Sequence, residues 1–397
     1  MPKGKRAAIG ILIVTQIGVM TLWFSTAAGL ADMAAEAGLP PARLAWLTTA
    51  VQLGFALGAV GYALLGLADR FDPRRVFAVS ALVAASANLA LLAAPIGGTE
   101  AVLLRAVTGA ALAGVYPVGM KIAVGWGTTD RAFLVSALVG ALTVGSASPH
   151  LIALFGGADW RATILVTSLL AAAGGLAVLT IGLGPNHAKA ASFDPGAVQL
   201  VWTNPRIRLA VIGYLGHMWE LYALWAWVGV IALGAFQASG LASATDAAKA
   251  LAFGAIAIGG LACFPAGHWA DRIGCERVAL LAMVISGAAA VASAAAYGGP
   301  AWLVAVLVIV WGAAVIPDSP QFSVLVAEAA PPERVGSLMT IQTALGFLLT
   351  AGAVQAAPLL ADAVGWPGVL LAMALGPAVG VAAMERLGRL KAAMREA

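Results

Sequence analysis

The chain has 397 residues, of which 61% are hydrophobic and only 10% charged, against a charged share of roughly 25% in soluble domains. That composition excludes a protein folded mainly in water, and the net charge of +4 has to be located along the chain before it says anything about partners. Two cysteines, Cys263 and Cys275, are too few for a disulfide framework, and no His, Cys and carboxylate group has metal-ligand spacing.

From the N-terminus, Met1–Arg6 leads straight into an apolar stretch of full spanning length without a small-residue cleavage site, so no cleaved signal peptide is expected. Apolar runs follow at 7–31, 43–67, 76–95, 100–124, 132–155 and 160–183. A second set lies at 208–236, 247–270, 278–297, 300–326, 335–360 and 364–384. Each is long enough for a membrane helix of about 20 residues. The widest polar gap holds Pro185, Asn186, His187, Lys189, Ser192, Asp194, Pro195 and Asn204. The reading is an all-α membrane protein of twelve transmembrane helices, with a bundle over 1–184, a cytoplasmic linker over 185–207 and a bundle over 208–397.

The basic residues set the orientation. With the N-terminus inside, the cytoplasmic segments hold Lys3, Lys5, Arg6, Arg70, Arg74, Arg75, Arg131, Lys189, Arg206, Arg208, Arg272, Arg277, Arg334, Arg386, Arg389, Lys391 and Arg395. The outer loops hold only Arg43, Arg161 and Lys249. This is a strong positive-inside bias, and it expects both termini in the cytoplasm. The net charge is thereby assigned to membrane orientation, with no nucleic-acid partner.

The two sets of runs are copies of one another. Ala68-Asp69-Arg70 recurs as Ala270-Asp271-Arg272, 202 residues on. Asp130-Arg131 matches Glu333-Arg334 at 203, Pro117 matches Pro320 at 203, and Trp160 matches Trp366 at 206. Landmarks in order at nearly constant offset indicate an internal duplication, as in many secondary transporters.

These residues resemble the major facilitator superfamily. The signature of that family between its second and third helices is matched in the second half by Gly267, Asp271, Arg272, Gly274 and Arg277. The first half keeps Asp69, Arg70, Arg74 and Arg75, with Leu65 and Asp72 where the family has glycines. In the fourth run, Arg105, Gly109 and Ala113-Gly114 are similar to a second family motif. The antiporter motif of the fifth run is only partly present, as Gly140, Gly145 and Ser148-Pro149. The resemblance implies two pseudo-symmetric six-helix bundles, alternating access, a small-molecule substrate and a cavity lined by runs 1, 4, 7 and 10. It gives the paired Asp-Arg loops a gating role, for which weak exposed ion pairs of about 0–1 kcal/mol suit a contact broken in every cycle. The alternative is that these charges only mark topology.

A charge at mid-bilayer costs at least about 2.5–3.5 kcal/mol, so each one is a functional candidate with an expected partner. Away from their ends the runs enclose four, Arg105 and Lys121 in the fourth, Glu220 in the seventh and Asp318 in the tenth, while Glu100 lies at a helix end and can stay wet. Glu220 lies about 18 Å along its helix from Arg208, and His217, one turn earlier, is within its reach. Glu220, tuned by His217, is expected to load and release the coupling proton near neutral pH, with Asp318, between Pro317 and Pro320, as the other acid; the alternative is a hydrogen bond that only packs the seventh helix. Arg105 and Lys121 fall on opposite faces of a straight helix; Arg105 is the preferred substrate contact, while Lys121 can also snorkel. Tyr214 and Trp227 are candidate cavity aromatics, with Trp23 and Gln16 of the first run beside them.

No phosphate-cradling loop or nucleophile elbow is present in the sequence, so the chain reads as neither an enzyme nor an ATP-driven pump, and without cofactor. Two transport readings remain. A proton-coupled carrier of a polar or anionic metabolite uses Arg105 and Lys121 for the anion; a proton antiporter exports amphipathic compounds along the aromatics of the seventh run. A membrane sensor that moves no solute is the reading of another class. The expected setting is the lipid bilayer of a bacterial inner membrane, as a monomer.

Overall fold

The computed structural model describes residues 4–127, 131–156, 159–186 and 193–396. Asp130, His187, Lys189 and Ser192 lie outside the described residues. No strand occurs among the described residues. The chain divides into two compact units, Met1–Ala190 and Ala191–Ala397.

In the first unit the helices are α1 (Lys5–Met20), α2 (Ser25–Ala28), α3 (Leu30–Ala37), α4 (Pro41–Leu65), α5 (Leu67–Arg70), α6 (Pro73–Ala90), α7 (Thr99–Leu112), α8 (Tyr116–Trp126), α9 (Arg131–Phe155) and α10 (Trp160–Ala177). In the second they are α11 (Val198–Thr203), α12 (Pro205–Ala238), α13 (Ala244–Ile273), α14 (Cys275–Ala295), α15 (Ala301–Val315), α16 (Ser319–Ala329), α17 (Val335–Met373) and α18 (Leu375–Glu396). Their starts are written locally. Asp72, Asp159 and Asn204 cap α6, α10 and α12 by accepting backbone N–H bonds, and Pro41, Pro73 and Pro205 occupy first-turn positions where the missing N–H costs nothing.

Ten helical stretches among the described residues are long and apolar enough to cross a membrane. The twelve predicted runs differ from this at two places, each with a physical cause. The first run is not one helix, because α1 ends at Met20 and a tight turn over 21–24 precedes α2. The last stretch, Pro332–Met394, has 63 residues, or ~95 Å at 1.5 Å per residue, about three bilayer cores. It bends at Gly365, whose φ of 74° and ψ of 170° are not helical, at the start of the last predicted run, 364–384.

Within each unit the same close helix contact recurs. Gly109 of α7 lies against the Val51 backbone of α4, and Gly312 of α15 against the Ala255 backbone of α13. A Cβ on either glycine would overlap the facing carbonyl. Small residues let membrane helices approach closely where lipid offers no hydrophobic drive for association. Gly312→Val is therefore expected to lower stability by about 1–3 kcal/mol, read as a lower midpoint of thermal unfolding in detergent, with a smaller loss for Gly336→Val, where nothing lies within 4 Å of an added Cβ.

Candidate functional site

The acids of the second unit are brought together by three helices. Glu220, near the middle of α12, is 1% exposed. Its Oε1 accepts from Trp311 Nε1 of α15 at 2.6 Å, and its Oε2 accepts from Ser286 Oγ of α14 at 3.0 Å. Asp318 occupies the break between α15 and α16, is 2% exposed, and stands 2.8 Å from His217 Nδ1 through Oδ1. The two carboxyls lie within electrostatic range of one another. Cys263 of α13 is within range of Asp318 as well.

This corrects the predicted Glu220–His217 pair. Both residues are on α12, but three residues of helix rotate a side chain by 300°, about 60° short of a full turn, and better-placed partners come from the neighbouring helix. Trp311 and Asp318 are seven residues apart and so share one face of α15 and the break that follows. Running antiparallel to α12, that face offers Trp311 to Glu220 and Asp318 to His217. The sequence reading missed Trp311 and Ser286. The seven-residue spacing of Trp311 and Asp318 was the available signal for the first; Ser286 had none. Phe322 of α16 adds a ring 6.0 Å from that of His217, and Tyr214 completes the triangle, 6.1 Å from His217 and 6.3 Å from Phe322. Trp227 is held elsewhere in the same unit, donating Nε1–H to the Val354 carbonyl at 2.9 Å and lying 5.6 Å from Trp366.

The cations of the first unit are engaged differently from expectation. Arg105 is fully buried and donates through Nε to the Leu47 carbonyl (3.1 Å), through Nη1 to the Leu22 carbonyl (3.0 Å), Ser25 Oγ (3.2 Å) and Asn88 Oδ1 (2.9 Å), and through Nη2 to the Trp23 carbonyl (2.7 Å). Asn88 is oriented in turn by donating Nδ2–H to Ser168 Oγ at 2.9 Å. The guanidinium thus holds the broken turn of the first run against α4 and α6, and the anion-binding place proposed for it is filled by the protein's own oxygens. Lys121 of α8 reaches Asp69 and, at 2.9 Å, the Ala68 carbonyl, so its ammonium belongs to the charged loop rather than to an anion site.

Trp23 packs on Phe55 with ring centroids 4.8 Å apart. Gln16 is fully buried on α1, its Oε1 lying 2.6 Å from where a Cβ on Gly119 of α8 would stand.

The two Asp-Arg loops are not equivalent. In the first, Asp69 pairs with Lys121, and Asp72 binds Arg74 at 2.6 Å while Arg74 Nη1 donates to the Ile181 carbonyl at 2.9 Å. That bond from Arg74 holds the Asp72 carboxyl below the usual carboxylate range and raises the Arg74 guanidinium. Arg70 and Arg75 are exposed. In the second, Gly267 is half-buried, Gly274 takes a φ of 93° that favours glycine, and Asp271, Arg272 and Arg277 are exposed with no ion pair among the described residues. On the other side of the first unit, Glu36 binds Arg161 at 2.6 Å beside a cavity of about 440 Å³. The hydrogen bond from Arg161, then that from Trp160, lowers the Glu36 carboxyl to about 2. None of the predicted site residues lines that cavity.

Arg105→Lys tests the clamp. Lysine offers three donors on a point charge in place of a five-donor planar fork, so at least two buried oxygens lose their partner and stability should fall by about 2 kcal/mol or more. A Lys variant with unchanged unfolding in detergent but weakened solute binding would return Arg105 to the substrate site.

A family model described as "Major Facilitator Superfamily" matches residues 12–264. No curated protein matches the chain. Among solved structures, the nucleoside transporter NupG superposes with a TM-score of 0.75 at 16% identity, covering 96% of this chain and 99% of that one. A bacterial homologue of the human lysosomal transporter Spinster, solved in an inward-facing and occupied conformation, superposes with a TM-score of 0.75 at 12% identity, covering 98% of each. At such identities the likeness speaks for the fold.

Proposed function

Because this chain belongs to the Major Facilitator Superfamily, and is a multi-pass membrane transporter of a small molecule, we propose that it works as a secondary active carrier driven by protons. Glu220 is the coupling acid, and the His217–Asp318 pair is its neighbour in the same relay. The observation that carries this is the pairing of Glu220 with two neutral donors, Trp311 and Ser286, in a fully buried setting. Among the described residues no Lys or Arg pairs with it, so its charge state is free to change with a proton. An intramembrane carboxyl of this kind is a functional group by default.

Alternating access follows the family, with Asp69, Arg70, Arg74, Arg75, Asp271, Arg272 and Arg277 at the cytoplasmic ends as contacts that form and break. The export of amphipathic compounds has less support, since Trp227 and Tyr214 are occupied by packing inside their own unit. The same reading places the chain in a bacterial inner membrane as a monomer of twelve crossings with both ends cytoplasmic. Under it, a cysteine replacing the exposed Gln199 of α11 is labelled by impermeant maleimide only from the inner side. Labelling from outside in intact cells would overturn the orientation.

Glu220→Gln keeps size and hydrogen bonding but fixes the site as neutral. In liposomes under an imposed proton gradient, uphill accumulation is expected to be lost while solute exchange without net proton movement survives. A merely structural Glu220 predicts normal accumulation by the Gln variant, and accumulation against the gradient would pass the coupling role to Asp318. Trp311→Phe, which removes one donor to Glu220, should shift the pH dependence of exchange while leaving the fold intact.

A further inference from the structure

The polar groups of the first unit divide into two kinds. Those carrying charge within its membrane helices, Arg105 and Lys121, are bonded to the protein itself. Among the uncharged ones, two primary amides are not, alongside the hydroxyls of Thr26 and Thr163. Gln16 on α1 and Gln52 on α4 are both fully buried, and neither amide nitrogen nor amide oxygen of either has a hydrogen-bond partner among the described residues. A buried primary amide carries two donors and an acceptor, and leaving all of them unmade inside a membrane bundle is costly.

Neither glutamine is an accident of crowding. Gln16 is admitted by Gly119, since a Cβ there would sit 2.6 Å from its Oε1 and press on the amide. Gln52 lies one helical turn from Phe55, which carries the ring of Trp23 from the first run. Gln16 also stands 204 residues before Glu220, inside the range of offsets that relates the two halves. The first unit thus has a neutral amide in the register position where the second has a carboxyl. In the second unit, Gln342 of α17 repeats the feature, 2% exposed with both amide atoms unpartnered.

We propose that the transported solute is an uncharged polar molecule with adjacent hydrogen-bond donors and acceptors, such as a hydroxyl-rich or amide-bearing ring compound, and that Gln16 and Gln52 bind it. This rests on the transporter reading above and replaces the anionic metabolite expected from the sequence. An anion would need a cation that the protein has not already satisfied, whereas the two amides offer both donor and acceptor to a neutral partner and repel neither.

The test uses the purified full chain in detergent and two matched probe pairs, uridine with its monophosphate and glucose with its phosphate ester, read by thermal shift and by tryptophan fluorescence. A neutral member is expected to stabilise the protein and its phosphate ester not to. Gln16→Met and Gln52→Met, which keep length and remove hydrogen bonding, should each weaken that binding about tenfold or more, with no fall in the unliganded melting temperature. Gly119→Ala should weaken it too, by displacing the Gln16 amide. Binding of only the phosphate esters, binding of none of the four, or neutral binding unchanged in both Met variants would overturn the proposal. A lower unliganded melting temperature with unchanged affinity would do so as well, by making the amides structural. Transport is read separately: a neutral probe that binds through the glutamines but is not accumulated by liposomes under a proton gradient upholds the ligand class and sinks proton-driven uptake.

Discussion

A backbone carbonyl released from its helix inside hydrocarbon has no water to turn to and must be given a donor by the protein. This constraint organises the first unit. The turn over 21–24 is tightened by Leu22 N–H to Val19 and Trp23 N–H to Met20, and the Leu22 and Trp23 carbonyls are then taken by Arg105. The break and the buried cation support each other: without the guanidinium the Trp23 carbonyl loses its donor and the Leu22 carbonyl keeps only the Ser25 hydroxyl, and without the turn the guanidinium lacks a negative surround. Asn88 and Ser168 extend the arrangement to α10, so the clamp joins helices that are far apart in sequence.

The second unit meets the corresponding problem by not creating it. α12 runs unbroken from Pro205 to Ala238, and Val308 stands 203 residues after Arg105, so neither the turn nor its cation is repeated. What is repeated is the other break. Pro117 and Pro320 each sit second in an eleven-residue helix, Tyr116–Trp126 and Ser319–Ala329, where a proline ends the preceding helix and starts the next. The copies diverge at the first and seventh runs, which also carry Gln16 and Glu220, and at the fourth and tenth, where Val308 stands in the register of Arg105.

How much of this could be read beforehand depends on whether a signal is local. The apolar runs, the paired loops and the prolines lie in the sequence as contiguous patterns, and the helices are found where those patterns place them. The intramembrane charges were also visible, because any charge within such a run stands out. Their partners were not. The His217–Glu220 pairing was drawn from spacing along one helix, while the structure pairs each residue across helices, through Asp318 and Trp311. The break after Met20 was hidden for the same reason: Thr21-Leu22-Trp23-Phe24 contains no breaker, and the residue that stabilises the turn lies more than eighty positions away. Arg105 stands out as a motif residue, but a motif names a residue and not the oxygens around it, which here are the protein's own.

The two buried sites differ in what they permit. Arginine does not give up its proton in a protein, so Arg105 is a permanent charge, and five acceptors from four parts of the chain fix it in one geometry. A carboxyl can be charged or neutral. Glu220 is held by donors that serve either form: Ser286 can rotate its hydroxyl to donate to a carboxylate or accept from a carboxylic acid, and the Trp311 indole can donate to an oxygen in both. His217 stands beside Asp318, its Nδ1 2.8 Å from Oδ1. The first unit has therefore spent its charge on architecture, while the second keeps its acids in surroundings that tolerate a change of charge. The proposed coupling thus draws on acids that tolerate a change of charge, and the proposed recognition on the unpartnered amides of Gln16 and Gln52.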